Sequence, residues 1–356
     1  MQATYKTMNF PKDKYLVDIH HHLDGAYSSK LLEKIATRKG KRLIENFQQK
    51  LMEYKDLTEF VEKWGMFSPI YTGDAEAVEE LTYDCIRREA DIGVAYLETR
   101  MCTFLLSDQS VYYEPIDNFI PTITTQKEAL EVVKKAVHRA MEDFPIQVKI
   151  ILVAVRNMHQ FNAELTELLT ENDELVVGVD TAGDEIAPMC DEELQSLIKL
   201  YNRAKECKLG RTFHAGESGR TENIVKAVEV FGADRIGHGY ALINDPGLAQ
   251  RLKEKDIHFE LCPISSVTIP KSGYFKDMKT TFNWFFDQDL NVSLNSDDSM
   301  FFQCVDASIE HCKTNFQLEN QKILKALLNA ARSSFLKPKD QEALVDHIKK
   351  YFPHSN

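Results

Sequence analysis

Short runs of apolar and β-branched residues recur along the chain, and polar stretches with helical periodicity separate most of them. The runs are YLVDI (15–19), VAYLETR (94–100), VKIILVAVR (148–156), LVVGVD (175–180), RTFHA (211–215), DRIGHG (234–239), IHFELC (257–262) and NVSLNSDD (291–298). Each reads as a strand. Amphipathic stretches such as DEELQSLIKLYNRAKECK and TENIVKAVEVFG lie between them. Strand–helix alternation predicts a parallel sheet with helices outside it, and eight repeats predict a closed (β/α)8 barrel of the TIM type, in the α/β class. No glycine–serine linker, low-complexity segment or long charge block divides the 356 residues, so a single domain over 1–356 is expected.

Two segments exceed the simple repeat. The connection from the first strand to the second, about 26–92, carries several helical patterns. Within it, DLTEFVEKWGMF places Leu57, Phe60, Val61 and Trp64 at i, i+3, i+4 and i+7. That stripe suits a helix packed on the core, or alternatively a lid over the barrel mouth. The tail ILKALLNAARSSFLKPKDQEALVDHIKKYF reads as two closing helices broken near Pro338.

Composition narrows the partners. The net charge of −12 argues against nucleic acid and against an anionic membrane surface, and leaves a small neutral or cationic ligand open. The longest apolar run, IILVAV at 150–155, is far too short to span a bilayer. Seven scattered cysteines, none in a C-x-x-C pair, read as reduced and mostly buried thiols of a cytoplasmic protein. The start MQATYKTMNFPKDK has no apolar core, so no secretory leader is expected.

In barrels of this kind the chemistry sits at the C-terminal ends of the strands. Ionisable residues gather there. Strand one ends in His20-His21-His22 and then Asp24-Gly25; strand four in Asp180 and TAGDE; strand five in His214-Ala215-Gly216-Glu217; strand six in Gly237-His238-Gly239; strand eight in Asp297-Asp298. Side chains alternate faces along a strand, so His20 and His22 point into the barrel while His21 points to the helix layer. Two inward imidazoles, a third from His214 and a carboxylate from Asp297 suit one zinc ion with a position left for water. Zinc lowers the pKa of such a water toward neutrality. Glu217, His238 and Asp298 then stand close enough to move protons: an acid for the substrate, a group that orients or deprotonates the water, and an acceptor for the hydroxide. His21 is expected to be a packing residue that does not touch the metal.

No G-x-S-x-G elbow, P-loop or G-x-G-x-x-G is present, and the H-x-E…P-C-x-x-C signature of the cytidine-type zinc deaminases is missing. The ordered set HHHLDGA, TAGDE, HAGE, RIGHG, LCPISS and SLNSDD closely resembles adenosine deaminases, zinc-dependent barrels of the amidohydrolase superfamily, from about residue 15 to 336. The resemblance implies zinc ligands at His20, His22, His214 and Asp297. It implies that Glu217 protonates purine N1, that His238 positions or deprotonates the water, and that Asp298 holds hydroxide and N7. Substrate contacts are implied for His22, for Asp24 with the ribose 5′-hydroxyl and for the Gly183 amide with N3. Leu57, Phe60, Val61 and Trp64 match the apolar helix that covers the base. The implied reaction is hydrolytic deamination of adenosine and 2′-deoxyadenosine, in purine salvage, with no organic cofactor.

Three positions depart from the family pattern. Ser299 stands in place of a usual proline, Thr181 in place of an aliphatic residue, and His21 in place of an apolar residue or cysteine. Asp24 favours a nucleoside, because a carboxylate accepts from a hydroxyl and repels a phosphate. Methyl-AMP deaminases carry asparagine there and adenine deaminases tend to carry glutamate. The remaining alternatives are a deaminase of another 6-aminopurine (methyl-AMP, 5′-modified adenosine or adenine), a catalytically inactive binding homologue, and a two-metal amidohydrolase. The last would place a carboxylated lysine on strand four, where this chain has Asp180.

Overall fold

The computed structural model describes residues 7–114, 119–218, 220–269 and 277–353. Its strands are β1 Leu16–His22, β2 Val94–Met101, β3 Gln147–Val155, β4 Val176–Ala182, β5 Gly210–Ala215, β6 Arg235–His238, β7 His258–Leu261 and β8 Asn291–Leu294. They pair in sequence order, every pair parallel. Helices cover the outside, so β1 and β2 are buried along their whole length, as strands with two covered faces must be. The ring closes beyond the end of β8. There the Asp297 amide donates to the His20 carbonyl (2.9 Å) and the His22 amide donates to the Asp297 carbonyl (3.1 Å). The expected (β/α)8 barrel is therefore present, and the bonds that shut it join three of the residues singled out for chemistry.

β8 is shorter than the sequence suggested. NVSLNSDD reads as strand to Asp298, yet the regular ladder stops at Leu294. Two polar side chains take over from the backbone, a known competitor of ladder bonding. Asn295 Oδ1 accepts from the Ile19 amide (3.2 Å), and the Ser296 hydroxyl donates to Asp18 (2.5 Å). Asp297 then adopts a left-handed φ of 68°, which turns its side chain back over the barrel.

At the opposite end Phe335, from the linker between the last two helices, plugs the bottom of the barrel. A Cβ on Gly210 would lie 2.0 Å from its ring and one on Gly178 2.6 Å, so both strands need glycine for the aromatic to enter. The Arg235 guanidinium lies 3.7 Å from the Phe335 ring centroid. The linker follows the helix Asn320–Ser333, and Pro338 is the first residue of the helix Pro338–Tyr351, where its missing N–H costs nothing.

The β1–β2 connection contains the helices Ser29–Arg38, Phe47–Leu51, Leu57–Val61 and Ala75–Asp91. The one helix expected through Trp64 is two pieces. Asp56 caps it through the Glu59 amide (3.0 Å), but after Val61 it tightens into a 3-10 turn over Glu62–Met66. Gly65 is a poor helix former and Ser68-Pro69 prevents continuation. Among the described residues no helix is long and apolar enough to cross a membrane.

Candidate active site

β1 alternates as its spacing requires. His20 and His22 face the barrel axis, and His21 faces the helices. The ligand atoms of His20, His22, His214 and Asp297 all lie within 4.8 Å of one another, and all four residues are buried. Asp297 Oδ1 is 3.5 Å from His20 Nε2 and 3.4 Å from His22 Nε2, while the Nε2 atoms of His22 and His214 are 3.2 Å apart. His20 Nε2 is buried with no hydrogen-bond partner.

The other ring nitrogens explain why these atoms face one another. His20 Nδ1 is 2.6 Å from Glu260 Oε2, and His214 Nδ1 is 3.0 Å from Asp180 Oδ2. A carboxylate at Nδ1 holds the proton there and leaves the Nε2 lone pair free. Burial keeps the His22 imidazole well below its usual pKa despite the nearby Asp297. Three convergent ring nitrogens and one carboxylate oxygen form a donor set that fits a four-coordinate divalent cation.

Asp180 and Glu260 are themselves joined by Arg100, which is fully buried. Its Nη1 donates to Asp180 Oδ2 and its Nη2 to Glu260 Oε2, both at 2.8 Å. Arg235 reaches the other oxygen of Glu260 through Nε at 2.6 Å and Glu98 through Nη1 at 2.6 Å. Burial pushes the Glu260 carboxyl up, but Arg100 and Arg235 together hold it well below the usual range. Burial opposes ionisation of Asp180 too, and His214 and Arg100 outweigh it. Sequence reasoning gave Glu260, Arg100 and Arg235 no role and left Asp180 without one. The available signal was a charged letter inside VAYLETR, DRIGHG and IHFELC, because a charge within a buried strand needs a partner.

Apart from His20, every residue given a metal-binding, catalytic or substrate-contact role from the sequence lines one cavity of about 370 Å³. Glu217 and His238 approach there, Oε2 to Nε2 at 3.5 Å. Asp298 is driven well above the usual carboxylate range by burial and by the Asp297 charge, whereas Asp297, although burial opposes its ionisation, is held well below it by the surrounding imidazoles of His20, His238 and His22. Asp24 is 2 % exposed, its Oδ1 lacks a protein partner, and burial raises its pKa to about 6. Gly25 lies against Asp298, where an added Cβ would stand 1.7 Å from Oδ1.

Leu57, Phe60, Val61 and Trp64 form the apolar wall despite the change of helix type. Trp64 stacks on Phe301 with centroids 5.4 Å apart, and Phe60 also packs on Phe301 at 5.0 Å. Thr58 ties this wall to the loop after β4 through Asp184 (2.7 Å). Cys102, Tyr112, Arg156 and Met158 also line the cavity and were not anticipated.

The three unusual residues have separate surroundings. His21 is not simply a packing residue. Its Nδ1 bonds the Thr99 hydroxyl (2.9 Å), and its Nε2 lies 3.6 Å from buried Glu89 and 3.8 Å from Cys85. Thr181 bonds the Tyr201 hydroxyl (3.0 Å), which donates to the Thr212 carbonyl (2.7 Å). The Ser299 hydroxyl is buried without a protein partner.

Residues 15–351 match the sequence profile described as adenosine deaminase. The adenosine deaminase of Xenopus tropicalis is 33% identical over 96% of this chain and 95% of its own length. Among solved structures, an adenine deaminase from Arthrobacter aurescens has a TM-score of 0.81 at 22% identity, over 95% of this chain and 99% of its own. An N6-methyl-AMP deaminase from Arabidopsis has a TM-score of 0.73 at 18% identity, over 96% and 98%. At such identities these two structures carry the fold alone. The profile match and the full-length relative carry more: this chain belongs to the adenosine deaminase family of hydrolytic deaminases.

Proposed function

We propose that this protein is a zinc-dependent deaminase of adenosine and 2′-deoxyadenosine, which become inosine and 2′-deoxyinosine with release of ammonia. The observation that carries the nucleoside assignment is Asp24. It is a buried carboxylate with an unpartnered oxygen, in the same cavity as the histidine cluster. With its pKa near 6 it is ionised at neutral pH, accepts a hydrogen bond from a sugar hydroxyl and repels a phosphate. Arg156 also lines the cavity, but its guanidinium donates to the His214 carbonyl (2.8 Å) and faces the Phe213 ring (5.1 Å).

His20, His22, His214 and Asp297 would hold one zinc ion, which when bound supplies a water of lowered pKa. Glu217 donates a proton to purine N1 and so makes C6 electrophilic. His238, beside Glu217, orients the attacking water and takes its proton. Asp298 hydrogen-bonds N7, an acceptor, in the protonated form that burial favours. The Gly183 amide meets N3, and Leu57, Phe60, Val61 and Trp64 exclude solvent from the base. His22 and Asp24 face the sugar.

Asp24→Asn tests the substrate assignment. Loss of a charge-assisted hydrogen bond should lower kcat/KM for adenosine by about 10- to 100-fold while 5′-deoxyadenosine is little affected. Equal losses on both substrates would refute the contact. Gly25→Ala is expected to displace the Asp298 carboxylate, because the new methyl would overlap its oxygen. Deamination should fall by about tenfold or more with zinc content unchanged, measured by steady-state kinetics and metal analysis.

A further inference from the structure

We propose that Glu185 is a positioning residue that aims Glu217. The inference rests on the reading that Glu217 protonates the base. Glu185 closes the TAGDE stretch and is 3 % exposed. Its carboxylate receives hydrogen bonds from both backbone amides that flank Glu217. The Gly216 amide donates to Oε2 at 2.8 Å, and the Ser218 amide donates to Oε1. The Ser218 hydroxyl (2.8 Å) and the Asn223 side-chain amide (2.9 Å) add two more.

One carboxylate therefore grips the chain immediately before and after Glu217. Gly216 has a left-handed φ of 74°, and a Cβ there would stand 2.6 Å from Ile224, so the turn is sterically confined as well. Gly183 lies two residues before Glu185, with φ 97°. The amide assigned to N3 and the acid assigned to N1 are thus carried on two loops joined through Glu185. N1 and N3 belong to the same six-membered ring, so the joint fixes the spacing of the two contacts. Asp184, between them in sequence, bonds Thr58 of the apolar wall.

Only an ionised carboxylate serves all these donors. Glutamine would keep one acceptor oxygen and turn an NH2 toward an N–H, which leaves one flanking amide unpaired in a buried site.

The test compares Glu185→Gln with the double variant Ser218→Ala/Asn223→Ala, which keeps the carboxylate on both backbone amides. The readouts are kcat and KM for adenosine, bound zinc, and the Kd of 1-deazaadenosine, which has C–H in place of N1. Glu185→Gln should lower kcat by about 10- to 100-fold, the scale of a misplaced catalytic group. KM, zinc content and the 1-deazaadenosine Kd should change by less than about threefold, and the double variant should keep kcat within about threefold. If Glu185→Gln does not accumulate, Glu185→Asp carries the same expectation, because its carboxylate is one methylene too short to reach both amides. Unchanged kcat in the glutamate variant overturns the proposal. So does a 1-deazaadenosine affinity that falls in step with kcat, which would mark a general collapse of the pocket. A parent protein inactive on adenosine defeats the underlying reading instead.

Discussion

Glu217→Gln should leave the fold and bound zinc intact and lower kcat for adenosine by about a hundredfold or more. Glutamine has nearly the same shape, and Glu217 is outside the four-residue ligand cluster, so neither packing nor metal affinity should suffer. The amide still offers a hydrogen bond to N1 but cannot transfer the proton that makes C6 electrophilic. The loss should therefore fall on kcat rather than KM, the pattern of an interaction made in the transition state. Steady-state kinetics with parallel metal analysis checks both halves. Near-parental turnover would remove Glu217 from the mechanism.

Arg100→Met should be the most destabilising single change in the site. Methionine fills comparable space but leaves Asp180 and Glu260 buried without their shared cation. Removing one partner of a buried ion pair costs about 3–5 kcal/mol, a large part of a typical net stability of about 5–15 kcal/mol. Thermal denaturation should show a strongly lowered Tm. Zinc affinity, read by competition with a chelator, should fall by about 10- to 100-fold because Asp180 loses its guanidinium partner and Glu260 keeps only Arg235. The pH dependence has a defined sign. Both carboxyls lie below their unfolded values, so the stability they contribute is present above the unfolded pKa and lost as pH falls through the folded one. The deficit of Arg100→Met should therefore be full at pH 7 and begin to shrink only as pH falls below the ordinary carboxylate value of about 4. Arg100→Lys keeps the charge but not the fork, and should lie between parent and methionine.

The barrel was legible because its strands are covered on both faces, so each appears as an apolar run. His20 and His22 were legible because a strand fixes which alternate residues share a face. Glu98, Arg100, Asp180, Arg235 and Glu260 were harder. Their pairing crosses the barrel, with Arg100 and Glu260 separated by 160 residues, and local periodicity holds no trace of it. The end of β8 was misjudged for a different reason. Asn295 and Ser296 side chains replace ladder bonds there, and strand propensity does not register such contacts. The wall from Leu57 to Trp64 shows the reverse case. The helix type changed, yet a 3-10 continuation after Val61 still carries Trp64 to the cavity.

The most direct measurement is spectrophotometric deamination by zinc-loaded protein of adenosine, 2′-deoxyadenosine, AMP and N6-methyl-AMP, with and without a chelator. The two nucleosides should show the highest kcat/KM. Activity should disappear on metal removal and return with one equivalent of zinc per chain. Faster turnover of AMP or N6-methyl-AMP, or activity indifferent to metal removal, would contradict a zinc-dependent nucleoside deaminase.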